Sequence, residues 1–229
     1  MKTIGLIGGM SWESTSLYYQ IINEYIQNKK GGLYSAKCIL YSVNFEEISS
    51  MQKTGQWQKC GEILGNIAKN LETAGADFII ICTNTMHKVV PDIQKYINIP
   101  VIHIAEATYN RIKEAGIKNI GLLGTKYTMK EDFYKNILID KGLNVIIPED
   151  DEVEFINNVI FNELCKGDIK AESKRKFLEI VDRLKLRGAE GVILGCTEIV
   201  MLISQKDIDI KVFDTTQIHA ETAAELSLT

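Results

Sequence analysis

The sequence predicts an α/β fold with parallel sheets that are covered by helices on both faces. Short apolar runs of strand length alternate with longer stretches of helical period along the 229 residues. The runs are rich in β-branched residues and are apolar at almost every position, which is typical of strands buried on both faces. In addition, one strand-and-turn element occurs twice, at residues 75–85 and 188–198. These observations together favour two similar α/β halves.

Eight apolar runs are predicted as strands. In chain order they are Lys2–Ile7, Lys37–Val43, Asp77–Ile81, Ile99–Ile102, Asn119–Leu123, Leu143–Ile147, Gly191–Leu194 and Lys211–Phe213. The stretches between them have helical spacing of apolar residues and are predicted as amphipathic helices. The last strand and the final helix, which ends in Ala220–Leu226, are expected to return and pack on the first half.

The two copies of the repeated element align at an offset of 113 positions (188 minus 75). This alignment places Thr83 opposite Cys196. A second pair of similar segments, Ile4–Gly8 and Ile120–Gly124, has an offset of 116 (120 minus 4) and carries Tyr18 onto Tyr134.

Duplication is the economical explanation of both offsets, with chance similarity between α/β strands as the alternative. It predicts a first domain of residues 1–99 plus 207–229 and a second of residues 100–206. We expect Rossmann-like halves that are related by a pseudo-two-fold axis.

Composition narrows the classes of function. The net charge is −4 and no dense Lys/Arg block is present, which argues against nucleic acid as the partner. No apolar run approaches the 18 residues of a membrane-spanning helix, so no membrane partner and a cytoplasmic location are expected. Five cysteines without CxxC spacing indicate free thiols. Three scattered histidines make a metal site improbable, and no lysine motif calls for pyridoxal phosphate.

The glycines after the first strand, in Gly5–Met10, resemble a dinucleotide fingerprint, but the GxGxxG spacing is absent. A simpler interpretation is that they let the backbone approach a small anionic ligand, with the hydroxyl groups of Ser11 and Thr15 near a helix start.

Parallel strands present their carboxyl ends at one edge of the sheet, where ligands of α/β proteins bind. Cys196 follows a predicted strand at such an edge and precedes a helix start, a setting that is expected to lower the pKa of a thiol towards neutrality. It is therefore a candidate base or nucleophile, with an inert core cysteine as the alternative. Cys82 falls within the matching strand and is expected to be structural.

Four segments resemble the aspartate/glutamate racemase family. They are IGLIGGMSWEST (Ile4–Thr15), CTNTMH (Cys82–His87), LGCTE (Leu194–Glu198) and FDTTQIHA (Phe213–Ala220). The resemblance implies a cofactor-independent amino-acid racemase, commonly a homodimer, with its active site in a cleft between two α/β domains. In that family two cysteines flank the α-carbon, and one removes its proton while the other returns a proton to the opposite face.

The sequence departs from this family pattern at one catalytic position. Cys196 matches the second cysteine, but Thr83 occupies the position of the first. Cys82 could take its place only if the turn rotated it, because adjacent side chains on a strand point to opposite faces. A threonine hydroxyl is not ionised near pH 7, so it can relay a proton but does not readily remove one. We therefore expect asymmetric catalysis, with Cys196 as the base for the L-enantiomer.

The resemblance also implies a set of substrate-binding residues. Asn84, Thr85 and Thr197 are expected to hold the α-carboxylate and ammonium groups, and Lys166 the distal carboxylate. Gln52 lies where relatives often have a carboxylate-binding arginine. The full set is Met10, Ser11, Gln52, Asn84, Thr85, Thr125, Thr128, Lys166, Thr197 and Glu198. His87 and His219 could tune the site but are more simply structural.

Two other functions are compatible with the sequence. A relative of the same architecture with one catalytic cysteine would perform hydantoin racemisation, maleate isomerisation or decarboxylation. Alternatively, Thr83 has ended turnover and the protein binds an acidic amino acid or dicarboxylate without converting it.

Overall fold

The computed structural model describes all 229 residues and divides into two compact units. The first unit comprises Met1–Ile104 and His219–Thr229, and the second comprises Ala105–Ile218. Both units have the predicted α/β architecture with wholly parallel strand pairing. The predicted fold class is confirmed.

The first unit contains a three-stranded sheet of order β2-β1-β3. Its strands are β1 (Ile4–Gly8), β2 (Cys38–Ser42) and β3 (Phe78–Ile81). Its helices before residue 104 are α1 (Trp12–Lys30), α2 (Phe45–Lys53), α3 (Trp57–Thr73) and α4 (Val90–Ile93), with a 3₁₀ helix at Thr85–Val89.

The second unit contains a four-stranded sheet of order β5-β4-β6-β7. Its strands are β4 (Asn119–Gly124), β5 (Asn144–Ile146), β6 (Gly191–Gly195) and β7 (Lys211–Asp214). The helices are α5 (Ile104–Glu114), α6 (Lys126–Lys130), α7 (Asp132–Asp140), α8 (Asp150–Asn162), α9 (Ala171–Leu186) and α10 (Ile199–Leu202), with a 3₁₀ helix at Leu164–Lys166. The final helix, α11, spans Thr215–Ser227 and crosses the division between the units.

The core of the first unit lies on both faces of its sheet. Against one face pack α2, α3 and α4, with buried side chains that include Ile7, Ile79 and Leu64. Against the other face pack α1 and α11, around Leu6 and Ile80. Successive strand residues therefore enter opposite cores, which explains why the strands are apolar at consecutive positions.

The two units repeat the same connectivity. Strands β1 and β4 are central, and each pairs with the next strand along the chain on one side and with β3 or β6 on the other. A pair of glutamines extends the repeat beyond the similar sequences. The Gln94 side chain donates to the carbonyls of Ile97 and Ile99 and accepts from the Val101 N–H. Gln205 makes the same three hydrogen bonds 111 positions later (205 minus 94), to Ile208, Ile210 and Val212.

The prediction of a strand at Ile99–Ile102 is wrong. This segment forms only one parallel bridge, between Ile79 and Val101. Pro100 has no N–H to donate to a ladder, which shortens the pairing to the hydrogen bonds on either side of Ile79.

The boundary of the halves also differs from the sequence-based one. Strand β7 pairs with β6 over Gly191–Leu194, so residues 207–218 belong to the second unit and not to the first. Of the C-terminal residues from 207 onwards, only His219–Thr229 belong to the first unit. The hydrophobic pattern identified the strand but carries no information about which neighbouring strand it pairs with.

None of the helices combines the length and the apolar character that a membrane-spanning segment needs.

Candidate functional site

The turn after β1 is closed by the protein itself. Gly9 has φ +88°, and a Cβ there would lie 2.3 Å from the Val43 carbonyl oxygen. The Gly9 N–H donates to the Thr15 hydroxyl at 2.8 Å, and this hydroxyl donates to the Ser11 carbonyl. The expectation that these glycines and Thr15 approach an anionic ligand is therefore corrected, because the close approach is to the protein's own backbone.

Ser11 and Met10 follow the same turn. Ser11 caps α1 by accepting from the Ser14 N–H, and its side chain is partly exposed. Met10 is 4% exposed and packs in the apolar cluster with Ile7 and Ile48. Of these two predicted substrate-binding residues, only Ser11 is accessible in the first unit as the structure describes it.

Thr83 and Cys82 lie in contrasting environments at the end of β3. Cys82 is completely buried among side chains of α1 and α11, and burial raises the pKa of its thiol far above the usual range. Thr83 is partly exposed. The carbonyl of Cys82 accepts from the Ser14 hydroxyl at 2.9 Å, and the carbonyl of Thr83 accepts from His87 Nδ1 at 2.8 Å. The side chains of Ser14 and His87 thus hold the backbone on either side of the Thr83 side chain.

All three histidines of the chain form one cluster below this turn. The rings of His103 and His219 lie 4.7 and 5.4 Å from the ring of His87. Burial lowers the pKa of all three: to about 4 for His103 and His219, and well below the usual value for His87. His87 is therefore neutral near pH 7. Because a carbonyl only accepts, His87 carries its proton on Nδ1.

The other predicted residues of the first unit lie at the same edge of the sheet. Asn84 and Thr85 are buried at the start of the 3₁₀ helix that follows β3. Gln52, near the end of α2, is buried, and its Nε2 lies 2.9 Å from the sulfur of Met86 in that 3₁₀ helix. A buried amide that contacts a thioether is a neutral group, unlike the arginine that the family pattern would place here.

In the second unit, Thr125 and Thr128 lie beside the end of β6. Thr125 caps α6 by accepting from the Thr128 N–H, and the two hydroxyl groups are 3.2 Å apart. Cβ atoms at the paired glycines Gly124 and Gly195 would lie 3.1 and 3.2 Å from the side chain of Thr128. The two strand ends therefore meet closely, and the predicted threonines and Cys196 belong to one edge of this sheet.

Cys196 immediately follows β6 and is hydrogen bonded to an acid. Its sulfur lies 2.8 Å from Glu198 Oε2, and the Thr197 hydroxyl lies 2.8 Å from the same oxygen. Burial raises the pKa of the Cys196 thiol well above its usual range, and the charge and hydrogen bond of Glu198 raise it further. The expected lowering towards neutrality is wrong for this structure: α10 is only four residues long, and the adjacent carboxylate outweighs any effect of its N-terminus.

Lys166 ends the 3₁₀ helix at Leu164–Lys166 and is exposed. This 3₁₀ helix contacts α10, so the lysine and Cys196 belong to neighbouring segments of the second unit. Cys165 also acts electrostatically on the Cys196 sulfur and is the smallest of the influences that raise the pKa of the Cys196 thiol.

The comparisons with known proteins identify the family and the fold of the chain. The model of the Asp/Glu/hydantoin racemase family matches residues 7–223. The chain belongs to this family. It is 23% identical to the broad specificity amino-acid racemase RacX of Bacillus subtilis over 98% of both chains.

Two solved structures resemble this racemase-family chain over the full length of both chains. A candidate Asp/Glu racemase from Yersinia pestis has 49% identity and a TM-score of 0.96. An aspartate racemase homologue from Pyrococcus horikoshii has 40% identity and a TM-score of 0.88. Relatives of this racemase family are thus matched by both sequence and fold.

Sequence reasoning singled out His87 but missed two other residues, Ser14 and Thr215, that hold the strand ends of this racemase-family chain. Ser14, His87 and Thr215 each bond a backbone carbonyl near a strand end; the Thr215 hydroxyl donates to Leu194 O at 2.9 Å. Ser14 and His87 lie inside two of the segments that resemble the family, and this position was the only indication in the sequence that they support the site. Nothing local in the sequence indicates the role of Thr215.

Proposed function

We propose that this chain is an amino-acid racemase that interconverts the enantiomers of aspartate, glutamate or both, without a cofactor. Support comes from its membership of the racemase family and from its strand-end residues. Cys196 would remove the α-proton of the L-enantiomer as a thiolate. The carbanion would then take a proton from the side of Thr83, as a proton relayed by the hydroxyl from water.

The single observation that carries the proposal is the contrast between Cys82 and Thr83. The Cys82 thiol, which is next to Thr83 in sequence, is buried in the apolar core, while Thr83 is partly exposed on a turn whose carbonyls are hydrogen bonded by side chains. The completely buried sulfur of Cys82 is out of reach of a substrate, whereas Cys196 lies just after the end of β6 and is 8% exposed. Cys196 is therefore the one sulfur that we assign to proton abstraction, and exchange of the α-hydrogen with solvent should be faster from L-substrates.

The substrate-binding assignments are proposals of the same kind. Asn84, Thr85 and Thr197 would bind the α-carboxylate and ammonium groups, and the exposed ammonium of Lys166 the distal carboxylate. Ser11, Gln52, Thr125 and Thr128 would complete the surroundings of the ligand, with Met10 behind them. A homodimer is also proposed, and the large apolar side chains exposed on α1 and β2, which are Trp12, Tyr19, Leu40 and Tyr41, are consistent with it.

The test is exchange of the α-hydrogen in deuterated buffer, followed by proton NMR of L- and D-aspartate and L- and D-glutamate. We expect the L-enantiomers to exchange faster than the D-enantiomers. Cys196→Ala should reduce exchange by about 10²-fold to 10⁴-fold, the usual contribution of a general base. Thr83→Cys should accelerate exchange from the D-enantiomers, because it supplies a second ionisable group.

Cys38→Ser is the control for the loss of a thiol, since Cys38 is in β2 and has no proposed role. Equal exchange from both enantiomers of the wild type would contradict the asymmetry. Full activity of Cys196→Ala would contradict the base. Tight binding without exchange would instead favour a binding protein.

A further inference from the structure

Two hydrogen bonds converge on one oxygen of Glu198. The Cys196 sulfur and the Thr197 hydroxyl both lie 2.8 Å from Oε2. A carboxylate only accepts, so the hydrogen between Sγ and Oε2 is the thiol proton. Cys196 is thus protonated in this geometry, and a thiol does not remove a proton from carbon. The proposed base must lose this proton before it can act.

We propose that Glu198 keeps the Cys196 sulfur protonated while the site is empty, and that a cationic group arriving at this carboxylate releases the sulfur as a thiolate. The cation would be the α-ammonium of the amino acid. This inference rests on the proposed function and deepens it, because it gives Glu198 a role in controlling the base. In the release step the S–H bond breaks, its electron pair stays on sulfur, and the proton passes to water.

The groups that act on the sulfur support this role. Its titratable neighbours are Glu198, on the same turn, and Cys165, from the 3₁₀ helix that contacts α10. Burial is the largest influence that disfavours a thiolate, both groups add to it, and the Glu198 backbone N–H, which favours a thiolate, is outweighed. A positive charge that pairs with the carboxylate removes the main charge opposing ionisation. The same cation would compete with the thiol for Oε2.

This arrangement makes an ammonium group a requirement for activation. A dicarboxylate without an amine would occupy carboxylate-binding groups but leave Glu198 charged and the thiol intact. Amino acids would therefore be selected over substrates of the maleate or hydantoin type at the step that creates the base. This selection acts when the thiolate forms, before the sulfur removes a proton from the α-carbon.

The first experiment titrates the Cys196 thiolate by its ultraviolet absorbance in the unliganded protein, with Cys196→Ser as the blank. We expect Glu198→Gln to lower the titration midpoint by about one pH unit or more, the usual effect of removing an adjacent like charge. Alkylation of Cys196 by iodoacetamide near neutral pH should accelerate about tenfold, because it follows the thiolate fraction. Glu198→Asp, which keeps the charge, should retain most of the wild-type midpoint.

The second experiment uses the wild-type protein and two probes at one pH below the midpoint. α-Methyl-L-aspartate carries the ammonium but has no α-hydrogen, and succinate lacks the ammonium. We expect the thiolate signal to rise with the first probe and not with the second. An unchanged midpoint in Glu198→Gln, or equal signals with both probes, would overturn the inference. Neither readout needs turnover, so a protein that fails the exchange test can still pass this one, and the reverse.

Discussion

At the scale of single residues, the buried histidines show how one cluster serves both folding and the candidate site. His219 accepts from the Tyr18 hydroxyl or donates to it through Nδ1, and its Nε2 lies 2.9 Å from the Ile102 carbonyl. Since the carbonyl only accepts, Nε2 carries the hydrogen and Nδ1 accepts from Tyr18. Burial lowers the pKa of His219 to about 4, so the ring is neutral near pH 7 and makes both bonds in this form.

This neutrality predicts a loss of stability in acid. Burial lowers the pKa of His219 to about 4, whereas in the unfolded chain it is about 6.5. Between these values the unfolded state binds more protons, so the free energy of unfolding falls as the pH falls. The contribution of His219 amounts to at most about 1.4 kcal/mol per pH unit in this window. His103 acts in the same direction, because its pKa is also lowered to about 4.

Urea unfolding at a series of pH values between 4 and 7 tests this linkage. His219→Gln can keep a donor and an acceptor but takes up no proton, so its unfolding free energy should depend less steeply on pH than that of the wild type. The comparison at pH 7 is the control for lost packing. A slope equal to that of the wild type would contradict the assignment of His219 as a buried neutral group.

Residue-scale prediction from sequence succeeded where a local pattern decides the outcome. Strand alternation separated Thr83 from Cys82, and the structure places one partly exposed and the other in the core. The pKa of Cys196 was predicted in the wrong direction. A helix N-terminus was visible in the sequence, but the orientation of the Glu198 side chain onto the sulfur was not.

At the scale of elements, α3 depends on two glycines one helical turn apart. A Cβ at Gly61 would lie 2.7 Å from the Cβ of Asp92, and a Cβ at Gly65 would lie 2.4 Å from Cδ2 of Tyr96. Both neighbours lie in or just after α4. Glycine is unfavourable inside a helix, so its presence here indicates that close packing outweighs helix propensity.

We expect Gly65→Ala to destabilise the protein. The overpacking cost of about 1–3 kcal/mol exceeds the gain of about 1 kcal/mol in helix propensity. Thermal or urea unfolding measures the difference. In a Tyr96→Ala background the same substitution should become neutral or stabilising, because the ring that it meets is gone.

Asn70→Ala is the matched control in the same helix, since Asn70 is exposed and should tolerate alanine. A stabilising effect of Gly65→Ala in the wild-type background would show that α3 and α4 can separate without cost. The sequence predicted α3 as an amphipathic helix but not this contact, because glycine in a helix has no periodic pattern of its own.

At the scale of the whole molecule, each unit contains a helix supplied by the other repeat. Helix α5 follows the first repeat, but its residues from Ala105 belong to the second unit; α11 follows the second repeat, but its residues from His219 belong to the first. The two equivalent tyrosines each contact such a helix. Tyr18 hydrogen bonds His219 of α11, and Tyr134 hydrogen bonds Thr108 of α5. His219 and Thr108 are 111 positions apart (219 minus 108), close to the offsets of the sequence repeat.

Removing residues 219–229 should therefore destabilise the unit that contains the N-terminus. The deletion takes away the buried side chains of His219, Ala220, Ala223 and Ala224 from the cluster around Tyr18. We expect a loss of more than about 5 kcal/mol, since single large-to-small changes in a core already cost 2–5 kcal/mol. Hydrogen exchange should show early loss of protection in β1 and β3.

Removal of only Leu228 and Thr229 is the control, because it leaves α11 intact. Protection of β1 that survives the longer deletion would show that α11 is dispensable to this core. The sequence predicted that the final helix joins the first half, but it assigned β7 to the same half. Strand pairing is decided by neighbours far along the chain, so no local pattern could have divided the two at Ile218.

The reciprocal helix exchange bears on how such a chain could have arisen. A protein made of one repeat would lack the helix that the other repeat supplies to its core. Two identical copies could each have supplied that helix to the other. Fusion of their genes would then turn an association that depends on concentration into a permanent one. The ancestor of this architecture would have been a pair of chains, and the present chain carries both partners in a single polypeptide.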